Sequence, residues 1–170
     1  MGQKYVLSIL VNNNSGVLRR VSSLFSRRNY NIESLSVGET ENELISRITV
    51  VTSGDEYIIE QIKSQVEKLE EVLKVEILNN ISSVYRELLL VKVKTDSDNR
   101  AEILEISNIF RARTIDVSLT SLTLEITGDA KKVSGFLSLL SNYNILEIVR
   151  TGTVAITRGD NRFADGVKTQ

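Results

Sequence analysis

The sequence predicts an α+β protein of two tandem ferredoxin-like βαββαβ units. Three observations carry this. Apolar residues switch between the two-residue period of strands and the i, i+3, i+4, i+7 period of helices. The resulting order of strands and helices repeats after about 80 residues, the length of a split βαβ unit. The composition is that of a globular protein, 41% hydrophobic and 25% charged over 170 residues, with no apolar run long enough to span a membrane.

Residues 4–11, KYVLSILV, are rich in β formers and stop at the turn cluster NNNSG. Val17, Leu18, Val21, Leu24 and Phe25 then recur on one helical stripe, with Arg19, Arg20, Ser23, Arg27 and Arg28 mostly off it. Asn29-Tyr30-Asn31 ends that helix. Ile32, Leu35 and Val37 lead through GETENE to Leu44, Ile45, Ile48, Val50 and Val51, two strands joined by a polar hairpin. Ser53-Gly54-Asp55 is a turn with Asp55 placed to cap the helix that follows. Ile58, Ile59, Ile62, Val66 and Leu69 form the second stripe, and residues 71–78, EVLKVEIL, a fourth strand.

The second unit repeats the order. Residues 85–95 read as a strand, Asp96 to Asp98 supply caps, and Ile103, Ile106, Ile109 and Phe110 make a helical stripe. Residues 114–119 and 122–127 pair as strands, and Gly128-Asp129 echoes Gly54-Asp55 ahead of a helix carrying Val133, Phe136, Leu137 and Leu140. Residues 145–157 close the unit as one strand or two short pieces around Gly152. The expected boundaries are thus 1–79 for the first unit, 80–159 for the second and 160–170 for a polar, disordered tail. The link at 79–84, NNISSV, is short and without Pro, so the units are expected to pack rather than swing.

In each unit the helices cover one sheet face, and strands such as 4–11 carry apolar residues on both. The second face therefore needs a cover, either the other unit or a second copy of the chain pairing its sheets as a dimer.

Composition narrows the chemistry. The chain has no Cys, His, Pro or Trp. That excludes disulfides, thiolate nucleophiles and the commonest metal ligand and general base, and leaves carboxylate, Lys or Tyr chemistry or an all-oxygen metal site. Residues 1–80 hold nine Lys or Arg against eleven Asp or Glu, and residues 81–170 twelve against eleven. Neither half has the charge excess of a nucleic-acid binder. The start of the chain reads as a strand rather than a signal peptide, and Val6 breaks the myristoylation pattern. Together with the missing Cys this points to the cytoplasm.

The segment with functional content is the turn from residue 12 to 18. Asn14 or Ser15 can cap the helix, which leaves the Gly16, Val17 and Leu18 amides as first-turn donors for a carboxylate or phosphate. Gly16 permits close approach. Asn13 offers a donor and an acceptor to the head of an amino acid. Asn31 lies where the helix returns to the second strand, and Ile32 beside it can line an apolar pocket. The same residues also describe an ordinary β-to-α turn, so a ligand site and a plain loop both stand.

The stretch VNNNSGVLRRVSSLFSRRNYNIESLSVGETE, then SRITVV and GDEYIIEQIKSQVEKL, resembles the N-terminal ACT domain of the small regulatory subunits of acetolactate (acetohydroxyacid) synthase. YRELLLVKVK, IFRARTIDVS, LEITGDAKKVSGFL and EIVRTGTVAITRGD continue the resemblance through a C-terminal ACT-like domain, so that it covers residues 4–160. The resemblance implies a subunit that senses valine, with leucine or isoleucine as weaker effectors, at the interface of two ACT domains. It implies activation of a separate catalytic subunit and a homodimer joined through residues 1–79, with residues 80–159 contacting that partner. It also implies that the chain has no catalytic residues of its own, and that thiamine diphosphate, Mg²⁺ and FAD belong to the catalytic subunit. Asn13, Gly16, Val17 and Leu18 match the family's first loop, Asn31 and Ile32 its partner-side contacts, and Gly38 a position tied to valine sensitivity. Arg27, Arg28, Arg111 and Arg113 near the helix ends complement the helix dipoles or contact the catalytic partner, and Arg150 and Arg158 contact a partner or a nucleotide or are solvated. The family's R-G-Y-N-I reads with Asn29 in place of Gly, and Asn is the next-best residue for a left-handed helix end. An organellar chain of this family would reside in the plastid stroma.

Two other readings remain. A free-standing ACT sensor of another amino acid would not need the second unit's motifs. An acylphosphatase-like enzyme of this fold would need an Arg in the first loop, where none lies before Arg19. An RNA-recognition domain is disfavoured, because residues 45–52 carry no aromatic side chain for base stacking.

Overall fold

A computed structural model describes residues 3–160 and Phe163. The first βαββαβ unit comprises β1 (Gln3–Asn12), α1 (Val17–Arg27), β2 (Ser34–Glu39), β3 (Ile45–Gly54), α2 (Glu56–Val66) and β4 (Val72–Leu78). The second comprises β5 (Ser83–Lys94), α3 (Arg100–Ile109), β6 (Arg113–Val117), β7 (Ser121–Gly128), α4 (Ala130–Leu140) and β8 (Ile145–Arg150). A last strand, β9 (Val154–Thr157), pairs with β5. Both sheets are antiparallel, ordered β2-β3-β1-β4 and β6-β7-β5-β8, so the two units share one topology. The central first strand of each unit breaks register with the closing strand at matching places, between Leu10 and Val11 and between Lys92 and Val93.

The cores are those the periodicity marks. Leu7, Ile9 and Val11 from β1 meet Val17, Val21, Leu24 and Phe25 from α1 and Ile59, Ile62 and Val66 from α2. In the second unit Leu89, Val91 and Val93 meet Ile103, Val133, Phe136 and Leu140. Each fully buried side chain of this size contributes about 1.5–3 kcal/mol. Asp55 and Asp129 cap α2 and α4, accepting the Ile58 and Lys132 amides at 2.8 Å. Ahead of α3 the cap position is Asn99, with no side-chain cap bond; Asp96 instead accepts the Asp98 and Asn99 amides at 3.0 Å in a turn before the helix.

Asn29 takes φ 58°, the left-handed turn that the sequence assigns to it after α1. Arg111 takes φ 55° at the corresponding end of α3.

The closing segment departs from expectation. Among the described residues, contacts group residues 3–84 with 153–160 and set residues 85–152 apart, so β9 belongs with the first unit rather than the second. There it lies against part of the helix-free face of the first sheet. The Thr153 amide donates to Ser34 Oγ at 2.8 Å, Arg47 Nη1 donates to Ala155 O at 3.4 Å, and Phe163, only 4% exposed, packs on Leu10, Ile45 and Leu73. Ser8 and Thr49 on this face are buried as well. Part of the cover of this face is therefore the chain's own C-terminal part, and Phe163, expected in a disordered tail, is packed instead. The seat combines burial of the Phe163 ring with the Lys74 Nζ bond to Phe163 O at 2.7 Å and two cations at the ring, so several contacts together oppose the entropy of ordering the segment. The rest of the predicted tail from residue 161 onward lies outside the described residues.

Candidate functional site

The β1–α1 turn is built by backbone geometry rather than by a capping side chain. Gly16 occupies the N-cap position at φ 86°, and neither Asn14 nor Ser15 caps the helix as their residue types suggest. Val17 N–H makes a long 3.4 Å bond back to Asn14 O, while the Gly16, Leu18 and Arg19 amides meet no protein acceptor among the described residues. These open donors face solvent at the positive end of the helix, so the turn can take a carboxylate. Val17 is buried in the core and Leu18 is 41% exposed.

Asn13 holds the turn in place. Its backbone amide donates to Leu44 O at 2.8 Å, and its side-chain amide donates to Glu43 O at 2.8 Å and Glu39 Oε1 at 3.2 Å. Its Oδ1 accepts from Ser46 Oγ at 3.0 Å. The residue that sequence reasoning offers to an amino-acid head is thus fully engaged in fastening the turn to the β2–β3 hairpin. Arg20 and Glu71 form an ion pair on the neighbouring surface.

Gly38 is exposed, next to Glu39 and opposite Arg47, with open space where a Cβ would stand. It therefore lies at the same end of β2 as the Asn13 turn. Asn31 and Ile32 lie at the other end. Asn31 O accepts from Thr52 Oγ1 at 2.7 Å, and Ile32 is half-buried against the first core. Beside them Glu33 pairs with Lys4, whose hydrogen bond holds the Glu33 carboxyl below its ordinary pKa against the opposing effect of burial. Ser46 and Thr52, the β3 residues that touch Asn13 and Asn31, are six positions apart, which separates the two groups by about 20 Å at the rise of a strand. The chain thus brings Asn13, Gly16, Val17, Leu18 and Gly38 to one end of the sheet and does not bring Asn31 or Ile32 to them.

Ser46 and Glu39, which hold Asn13, were not legible as site residues; a buried Ser facing the helices in an apolar strand was the available signal. Among the described residues no group of three or more carboxylates could hold a metal ion, and no helix is long and apolar enough to cross a membrane.

A family model described as the AHAS small subunit-like ACT domain matches residues 7–74, and one described as the small subunit of acetolactate synthase matches residues 86–159. A probable acetolactate synthase small subunit of Archaeoglobus fulgidus is 48% identical over 159 residues, covering 94% of this chain and 99% of that protein. The chain belongs to the acetolactate synthase small subunit family. An acetolactate synthase small subunit of Mycobacterium leprae is 46% identical over 155 residues, covering 91% of this chain and 92% of that protein. The crystal structure of the acetolactate synthase small subunit of Thermotoga maritima superposes with a TM-score of 0.86 at 42% identity, covering 94% of this chain and 99% of that one. Acetolactate synthase small subunits thus share both units of this fold, and the first unit is their ACT domain.

Proposed function

We propose that this chain is a non-catalytic regulatory subunit that activates a thiamine-diphosphate-dependent acetolactate synthase catalytic subunit and makes it sensitive to valine or a related branched-chain amino acid. The thiamine diphosphate, Mg²⁺ and FAD reside on that partner. Residues 1–79 sense the effector and join two copies, and residues 80–159 contact the catalytic subunit in the cytoplasm.

The observation that carries the reading is the open α1 turn. The effector's carboxylate sits on the amides around Gly16, Val17 and Leu18. Its ammonium and branched side chain meet Asn31 and Ile32 of a second copy. One chain cannot complete the site alone, because the strands keep Asn31 about 20 Å from the turn. Asn13 serves this site by fixing the turn rather than by giving its amide to the ligand. The effector then shifts the catalytic partner only by its differential affinity for two arrangements of the ACT pair.

The test is to measure acetolactate formation by the catalytic subunit alone, with this chain, and with this chain plus valine. The reading expects the rate to rise on adding the chain and to fall again with valine. No change on adding the chain, or a valine effect with the catalytic subunit alone, would overturn it.

A further inference from the structure

The C-terminal cover and the effector turn meet on one short piece of β3. Ile45 and Arg47 point to the helix-free face, where Ile45 packs on Phe163 and the Arg47 guanidinium lies 5.4 Å from the centre of its ring. Ser46, between them, points to the helix side and donates to Asn13 Oδ1. Arg47 also donates to Ala155 O in β9 and stands opposite Gly38. On the other flank Lys74 Nζ lies 5.1 Å from the ring centre and donates to Phe163 O at 2.7 Å. Two cations thus bracket one aromatic side chain, an arrangement that favours a single docked position.

We infer that β9 and Phe163 form an intrachain latch that preorganises the effector turn through Ile45, Ser46 and Arg47. This rests on the proposed effector site at residues 13–18. With Phe163 docked, Ile45 and Arg47 are fixed from below, Ser46 is held in register, and Asn13 keeps the turn in the shape that presents its free amides. With Phe163 undocked, the start of β3 and the hairpin gain freedom, and the effector must restore the order as it binds. Coupling of this kind is reciprocal, so the effector also tightens the latch. The physical link is contiguous packing and hydrogen bonding, with no residue in the path further than one neighbour from the next.

Calorimetry of valine binding to the full chain tests this with four proteins. F163A is expected to weaken valine at least about fivefold, the lower range of allosteric coupling, while F163W binds as the unchanged chain does. F163A within twofold of the unchanged chain overturns the latch and leaves the effector site standing. G16D binding valine normally, or no binding by the unchanged chain, overturns the site and the latch with it. Should F163A not fold, two other readouts decide. Because the chain has no Trp, F163W emission reports the docked ring alone, and valine is expected to shift it. In the unchanged chain, valine is expected to raise amide hydrogen-exchange protection over residues 45–47 and 154–157. Unchanged emission together with unchanged protection overturns the latch.

Discussion

Replacing Gly16 separates what its backbone does from what its space does. At φ 86° a side chain is strained whatever surrounds it, yet no atom lies within 4 Å of where a Cβ would stand. G16A therefore carries only the left-handed strain, about 1–2 kcal/mol of stability. It leaves the turn's amides open, so valine binding is kept. G16D carries the same strain, partly offset because Asp is favourable at an N-cap, and adds a carboxylate beside the donors. Two carboxylates about 4 Å apart repel by about 1 kcal/mol at the dielectric of water and about 4 kcal/mol at an effective dielectric near 20. Valine affinity should fall at least about fivefold, since each 1.4 kcal/mol is tenfold. Urea denaturation reads the strain and calorimetry reads the affinity. Equal valine affinity in G16D and G16A would refute the placement of the carboxylate. A loss of stability well above about 2 kcal/mol in G16A would refute the claim that the space is open.

Removing the helix caps with D55A and D129A should each cost about 1 kcal/mol in urea denaturation, because each carboxylate satisfies one first-turn amide. Glu33 is held below its ordinary pKa of 4.5 by Lys4, so its contribution to stability is present above that pH and is lost as pH falls through the lowered value. K4M should move the Glu33 titration, followed by carboxyl NMR, back up and remove this part of the acid dependence. R111G should stabilise the chain by about 1 kcal/mol and N29G by less, as Asn tolerates the left-handed region through local hydrogen bonding and Arg does not.

The regular part of the fold was legible because each stripe had one way to be buried. Val17, Val21, Leu24 and Phe25 lie on the core face of α1 as their spacing requires, and Val133, Phe136 and Leu140 do the same in α4. The two Gly-Asp turns gave true caps. The β1–α1 turn was legible as a place but not as a geometry: Asn14, Ser15 and Gly16 all favour helix starts, and only the three-dimensional path of β1 into α1 selects a left-handed Gly16. The role of Asn13 was hidden because its partners Glu39, Glu43 and Ser46 lie 26 to 33 residues away. The return of Phe163 was hidden for a similar reason. One apolar residue in a polar segment has no period, and its seat on Leu10, Ile45 and Leu73 is far off in sequence. Likewise, alternation marks residues 154–157 as a strand without saying which unit it joins.

A shared effector site makes a demand that no single-chain site makes. Chains carrying G16D and chains carrying N31A should each fail to bind valine in calorimetry, since one lacks the carboxylate seat and the other the facing contact. Mixed in equal amounts and allowed to exchange partners, they should form pairs in which one of two sites is intact, restoring valine binding to about a quarter of all sites in a symmetric dimer. No recovery on mixing, or normal binding by N31A alone, would contradict a site built from two copies of this chain.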